Sequence, residues 1–123
     1  MRALVIDDSR VVRLMLSRYL STLGYEVSQA GNGQEALDVL AEGGDLPDIA
    51  LVDWNMPVMN GLEFVNACRA NRDYRSISLM MVTTESEYSQ IVRALAAGAH
   101  EYLIKPFDNS ALSSKLALLG LPA

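Results

Sequence analysis

Hydrophobic positions along the chain follow two alternating rhythms. Short apolar runs rich in β-branched residues occur at 3–6, 25–29, 49–52, 77–82 and 101–104. Runs of that length, bounded by turn residues, predict strands. Longer stretches between them carry helical spacing. Val12, Leu16, Leu20 and Leu23 step three or four residues at a time until Gly24 stops the helix. Ala36, Leu37 and Leu40 mark a second helix opened after Asn32-Gly33, and Leu62, Val65 and Cys68 or Arg69 a third after Gly61. Ile91, Val92 and Leu95 mark a fourth, closed by Gly98. Leu112, Leu116 and Leu119 mark a fifth, with Asp108 or Asn109 as N-cap.

Strand and helix alternate five times, which predicts an α/β fold with a parallel sheet and helices on both faces. The strands are nearly continuous apolar runs, as expected where both faces are covered. The 123 residues, half of them hydrophobic, fit one globular domain over 1–123, with no linker or repeat inside it. A net charge of -5 without a basic patch argues against duplex nucleic acid and against an anionic membrane. Cys68 is the lone cysteine and His100 the lone histidine, so an internal disulfide, a Ser-His-Asp triad and a multi-histidine zinc site are all disfavoured. With no secretory or membrane-spanning pattern, the expected location is the cytoplasm.

Ligands of open α/β sheets bind beyond the carboxyl ends of the strands. Asp7 and Asp8 follow the first predicted strand, and the third ends in Asp53 before Trp54-Asn55-Met56-Pro57. Thr83 and Thr84 follow the fourth, and the fifth runs into Lys105-Pro106-Phe107. Three converging carboxylates repel one another unless a cation joins them or one stays protonated. Hard oxygen ligands favour Mg²⁺. A lysine and a threonine hydroxyl offer the charge and the hydrogen-bond donor that a phosphoryl group needs. Carboxylates also form aspartyl-phosphates. The residues therefore point to Mg²⁺-assisted phosphoryl transfer onto Asp53. Acids after the first strand, in place of glycines, argue against a nucleotide phosphate-binding loop.

In order and after the right strands, Asp7-Asp8, Asp53-Trp54-Asn55-Met56-Pro57 with Gly61, Thr83 and Lys105-Pro106-Phe107 resemble the receiver domains of two-component response regulators. Within these, the chain is most similar to the CheY-like single-domain members. The resemblance implies a flavodoxin-like, doubly wound (βα)5 fold with strand order 2-1-3-4-5. It implies Asp53 as phosphoacceptor, and Mg²⁺ held by Asp7, Asp8, Asp53 and the main-chain carbonyl of Asn55. Lys105 would pair with the phosphoryl group. Thr83 and Tyr102 would form the coupled switch, Tyr102 moving inward as Thr83 moves. The output surface would be helix four, strand five and helix five. Lys105-Pro106 resembles the family's cis peptide. Asn55 and Glu85 occupy the positions that tune phosphoryl lifetime, and Thr84 stands where the family mostly has a very small residue.

The implied partners are a sensor histidine kinase or phosphotransfer protein as donor and a motor or another regulator as target, the chain being a monomer or a weak phosphorylation-dependent dimer. It would be a switch that assists only its own phosphorylation and hydrolysis. A Mg²⁺-dependent phosphatase with an aspartate nucleophile is the alternative, opposed by Asn55 where that family carries a second aspartate as general acid. A receiver excised from a larger regulator is another. Trp54 is expected to be partly exposed, His100 a solvated loop residue and Cys68 a small core hydrophobe. Met56, Met59, Met80 and Met81 are expected to pack, and Leu14, Leu118 and Leu121 to lie outside the buried helical faces.

Overall fold

A computed structural model of the chain describes residues 1–84 and 88–123. The strands are β1 (Arg2–Ile6), β2 (Glu26–Ala30), β3 (Ile49–Asp53), β4 (Ser78–Thr84) and β5 (Glu101–Lys105). The helices are α1 (Arg10–Thr22), α2 (Gly33–Ala41), α3 (Gly61–Ala70), α4 (Tyr88–Ala97) and α5 (Asn109–Leu118), with a 3-10 turn at Arg72–Tyr74 after α3. All strand pairs are parallel, in the order β2-β1-β3-β4-β5. The flavodoxin-like (βα)5 architecture implied by the motifs is therefore the one observed.

Alternation along each strand divides the core in two. Leu4, Ile6, Ala50, Val52, Leu79 and Met81 face α2, α3 and α4, packing with Ala36, Phe64, Val65 and Ala94. Ala3, Val5, Ile49, Leu51, Met80, Val82 and Leu103 face α1 and α5, packing with Leu16, Leu20, Leu112 and Leu116. Both faces of β1, β3 and β4 are thus dry, which is why these three read as unbroken apolar runs. At the outer edge, β2 departs from that pattern: Glu26, Ser28 and Gln29 are exposed.

Side-chain caps fix where the helices begin. Ser9, Asn32 and Asp108 accept from the backbone N–H groups of Val12, Glu35 and Ala111, so Asp108 rather than Asn109 caps α5. Asn60 and Glu63 form a reciprocal capping box at α3. Gly24 and Gly98, at φ 94 and 122, turn the chain after α1 and α4 in a conformation that L side chains avoid. Among the described residues, no helix is long and apolar enough to cross a membrane.

Several local expectations need correction. Trp54 is 6% exposed and belongs to the α2–α4 core layer, and the Gly61 N–H bonds its carbonyl at 2.9 Å, turning the loop after β3 back on itself. Thr83 and Thr84 lie within β4, which runs two residues further than its apolar stretch. Tyr25 precedes β2 and is buried, donating its hydroxyl to the Pro122 carbonyl at 2.8 Å. Leu121 is half-buried against the α1–α5 layer, whereas Leu14 and Leu118 are exposed. His100 is, as expected, exposed in the loop before β5, and it is also anchored there: its Nδ1 accepts the Leu79 N–H at 3.1 Å and lies 3.3 Å from Arg69 Nη2. Cys68 is the small core residue expected, fully buried, its thiol pushed up to about 11 by burial, with Arg69 opposing the shift.

Candidate functional site

Register decides which groups meet. Ile6 of β1 pairs with Val52 of β3, so the next residues, Asp7 and Asp53, emerge side by side at the carboxyl end of the sheet. Asp53 is itself the last residue of β3, and Lys105 is the last residue of β5. Lys105 Nζ donates to Asp7 Oδ2 and Asp53 Oδ1, both at 3.1 Å. Asp7 and Asp53 are buried and Asp8 is exposed, yet one carboxylate oxygen from each lies within 4.8 Å of the others. One lysine thus faces two buried acids, and a third stands at the mouth.

Surrounding backbone groups set the pose. The Ser9 N–H donates to Asp7 Oδ1 at 2.9 Å, while Lys105 holds the second oxygen. Arg13 Nη1 donates to the Asp7 carbonyl at 2.6 Å, and its Nε reaches Gln29 Oε1 at 3.3 Å. Arg13 had no motif to announce it; its one signal was its place a turn after the Ser9 cap on a helix opening at the acidic pair. Gly61 permits the close return of the loop after β3, since a Cβ there would lie 2.5 Å from the Asp53 carbonyl oxygen. Lys105-Pro106 is cis.

Electrostatics follow from that crowding. Burial, then the Asp7 charge, with a lesser push from Asp8, raise the Asp53 carboxyl to about 6 against the opposing pull of Lys105. Burial disfavours the charged form of Lys105. The charges of Asp53 and Asp7 and its hydrogen bonds to them outweigh this, and hold the ammonium above the usual lysine range. Removing water has left more negative than positive charge at the corner. An oxygen-only donor set with surplus negative charge and an exposed third acid fits a hard divalent cation such as Mg²⁺.

The remaining predicted residues sit around this corner. Thr83 is 2% exposed and lies opposite Ile104, and Thr84 is exposed opposite Lys105. Asn55 is exposed in the loop after β3. Tyr102 is half-buried on β5, opposite Met81. Glu85 lies outside the described residues.

Residues 3–117 match the family described as the response regulator receiver domain. The chain belongs to that family. It is a CheY-like receiver domain of two-component signalling. It is 41% identical over 117 residues to a chemotaxis protein CheY homolog of Campylobacter jejuni, covering 94% of this chain and 89% of that protein. It is 40% identical over 120 residues to the chemotaxis protein CheY1 of Helicobacter pylori, covering 97% and 96%. Among solved structures, chemotaxis protein CheY4 of Vibrio cholerae superposes with a TM-score of 0.85 at 37% identity, covering 98% of this chain and 97% of that one. Receiver domains are signalling switches that bind Mg²⁺ at an acidic pocket and work with histidine kinases or phosphotransfer proteins and with downstream targets. In this chain Asp7, Asp8 and Asp53 form an acidic cluster, one carboxylate oxygen from each lying within 4.8 Å of the others.

Proposed function

We infer that Asp53 of this receiver domain is the phosphoacceptor, and that residues 1–123 act as one cytoplasmic switch for chemotaxis-type signalling. The contact that carries this reading is Lys105 Nζ at 3.1 Å from both Asp53 and Asp7, on a corner built from three different strands. Asp7, Asp8, Asp53 and the Asn55 carbonyl would hold Mg²⁺, which supplies charge neutralisation for the transferring phosphoryl oxygens.

An Asp53 carboxylate oxygen attacks the phosphorus of a phosphohistidine. The new O–P bond forms as the P–N bond to the imidazole breaks, and the leaving nitrogen takes up a proton as the donor protein departs. Lys105, already charged and within reach of Asp53, then pairs with a phosphoryl oxygen. Its attachment to Asp7 is exchanged for one to the new dianion. Thr83, on the neighbouring strand, turns its hydroxyl toward that group, and Tyr102 follows inward. The α4, β5 and α5 surface is thereby presented to a target, a motor component or another regulator. Asn55, Thr84 and Glu85 set how fast water or a donor reaches the acyl phosphate. The chain assists only its own phosphorylation and hydrolysis: the Asn55 carboxamide cannot act as a general acid or base where an aspartate-nucleophile phosphatase needs one.

Intact mass after incubation with acetyl phosphate tests this. One phosphoryl group should add with Mg²⁺ present and should be absent with chelator and in Asp53→Asn. A Mg²⁺-dependent adduct retained in Asp53→Asn would overturn the assignment. Multiple turnovers of free phosphate from varied monoesters would favour the phosphatase.

A further inference from the structure

Tyr102 and Lys115 meet around the open edge of the sheet. β5 is an outer strand. Alternation sends Leu103 to the layer with α1 and α5, while Tyr102 packs against the layer with α2, α3 and α4. α5 therefore starts Lys115 on the opposite face from the ring. Even so, Lys115 Nζ lies 4.2 Å from the Tyr102 ring centroid. A hydrogen-bonded sheet gives no passage, so the lysine stem rounds the free edge of β5 and reaches the ring from outside.

The charge is tethered there. Lys115 Nζ donates to Glu101 Oε1 at 3.0 Å, and the same oxygen accepts the Tyr102 backbone N–H at 3.0 Å. The two side chains are only 26% and 17% exposed, so solvent screens this pair less than a fully exposed one. An ammonium over an aromatic face gains further from partial desolvation. None of these contacts belongs to the Asp53 corner, yet all converge on the aromatic residue of the switch.

We propose that Glu101 and Lys115 form a latch that holds Tyr102 outward and so sets how much of the unphosphorylated domain occupies the switched arrangement. The latch rests on the receiver reading of Asp53 and on the inward movement of Tyr102 that goes with it. An inward step carries the ring away from an Nζ held back by α5 and Glu101. The cation–π contact is then made in one arrangement and lost in the other, and such a contact biases the equilibrium by its own free energy. A group bound at Asp53 that favours the switched arrangement must, by linkage, bind more tightly once the latch is removed.

Beryllofluoride with Mg²⁺, a phosphoryl mimic, can be titrated against the wild-type chain and three variants: Lys115→Met, Glu101→Gln and Lys115→Arg. Trp54 fluorescence reads binding beside Asp53, and the NMR signal of a fluorinated Tyr102 reads the ring. Lys115→Met should tighten apparent binding about 3- to 10-fold, the range a partly desolvated cation–π contact supplies. It should also move the ring signal toward its switched position before any mimic is added. Glu101→Gln should act in the same direction, and Lys115→Arg, which keeps a cation over the ring, should restore wild-type behaviour within about twofold. Unchanged affinity and an unmoved ring signal in Lys115→Met, with a responsive wild type, would overturn the latch alone. A folded wild type without a Mg²⁺-dependent response would overturn the receiver reading. The ring signal would still decide the latch, since an unmoved Tyr102 in Lys115→Met counts against it in either case.

Discussion

Asp53 shares a largely dry corner with Asp7, and a single lysine stands between them. An acid whose folded pKa is raised stabilises the fold fully below its unfolded value and loses that contribution as pH rises through the folded one. For Asp53 the loss runs from the ordinary value of 3.8 to about 6, so at pH 7 the ionised carboxylate opposes folding when no cation is bound. Asp53→Asn should therefore stabilise the metal-free protein at pH 7 by roughly 1–3 kcal/mol, the scale set by a shift of one to two pKa units. Excess Mg²⁺ should stabilise the wild type more than the variant. Thermal melts with chelator and with Mg²⁺ check both, and a metal-free variant melting below the wild type would refute the expectation. The acids, the lysine and the threonine of this corner were legible because each follows or ends an apolar strand. The burial of Trp54 was not: it depends on how Gly61 lets the loop return, a close approach that neighbouring residues in sequence do not reveal.

The caps Ser9 of α1 and Asn60 of α3 emerge only in the structure, whereas the starts of α2 and α5 were legible from Asn32 and Asp108. Links between elements were not. Arg69 of α3 donates to the carbonyls of Gly98 at 3.0 Å, Arg75 at 3.1 Å and Ile77 at 2.9 Å, and also meets His100. A cation satisfied by carbonyls leaves no charge pattern in the sequence. It joins α3, the turn after it, the start of β4 and the entry to β5, on the side of the sheet opposite α1 and α5. The His100 Nδ1 faces two donors, the Leu79 N–H and the Arg69 guanidinium, so the neutral ring must carry its proton on Nε2. Burial, and then the Arg69 charge, lower its pKa from 6.5. A group depressed in this way contributes stability above its unfolded pKa and loses it as pH falls toward the folded one. Stability should therefore decline below pH 6.5 from this junction. His100→Asn, which keeps an acceptor but cannot titrate, should flatten that decline in denaturant melts at stepwise lower pH. An equally steep decline in the variant would remove His100 as its source.

Over the whole molecule, parallel order 2-1-3-4-5 gathers the carboxyl ends of β1, β3, β4 and β5 along one rim. The alternation of strands and helices made the parallel sheet legible, while its strand order came only from the family resemblance that the ordered motifs carry. Composition alone gave neither. That order puts β2 at an edge, but the exposure of Glu26, Ser28 and Gln29 was not legible in the run at 25–29, because Val27 and the preceding Tyr25 lend it apolar weight. Mg²⁺ with beryllofluoride should slow amide exchange first at the ends of β1, β3 and β5, around 7, 53 and 105. It should slow exchange least at the opposite rim, where Arg2 N–H bonds Asp48. Uniform slowing at both rims would show that bound ligand is read by the whole sheet at once. The ion pairs of Lys105 also span the chain, 98 residues from Asp7 and 52 from Asp53. Synthesis runs from the amino end, so both acids are made before the lysine. A chain cut anywhere between 53 and 105 carries the two acids without the ammonium that stands between them. Such a fragment also lacks β5, the strand that brings the ammonium to the rim, so an amino-terminal piece of that length cannot assemble this corner by itself.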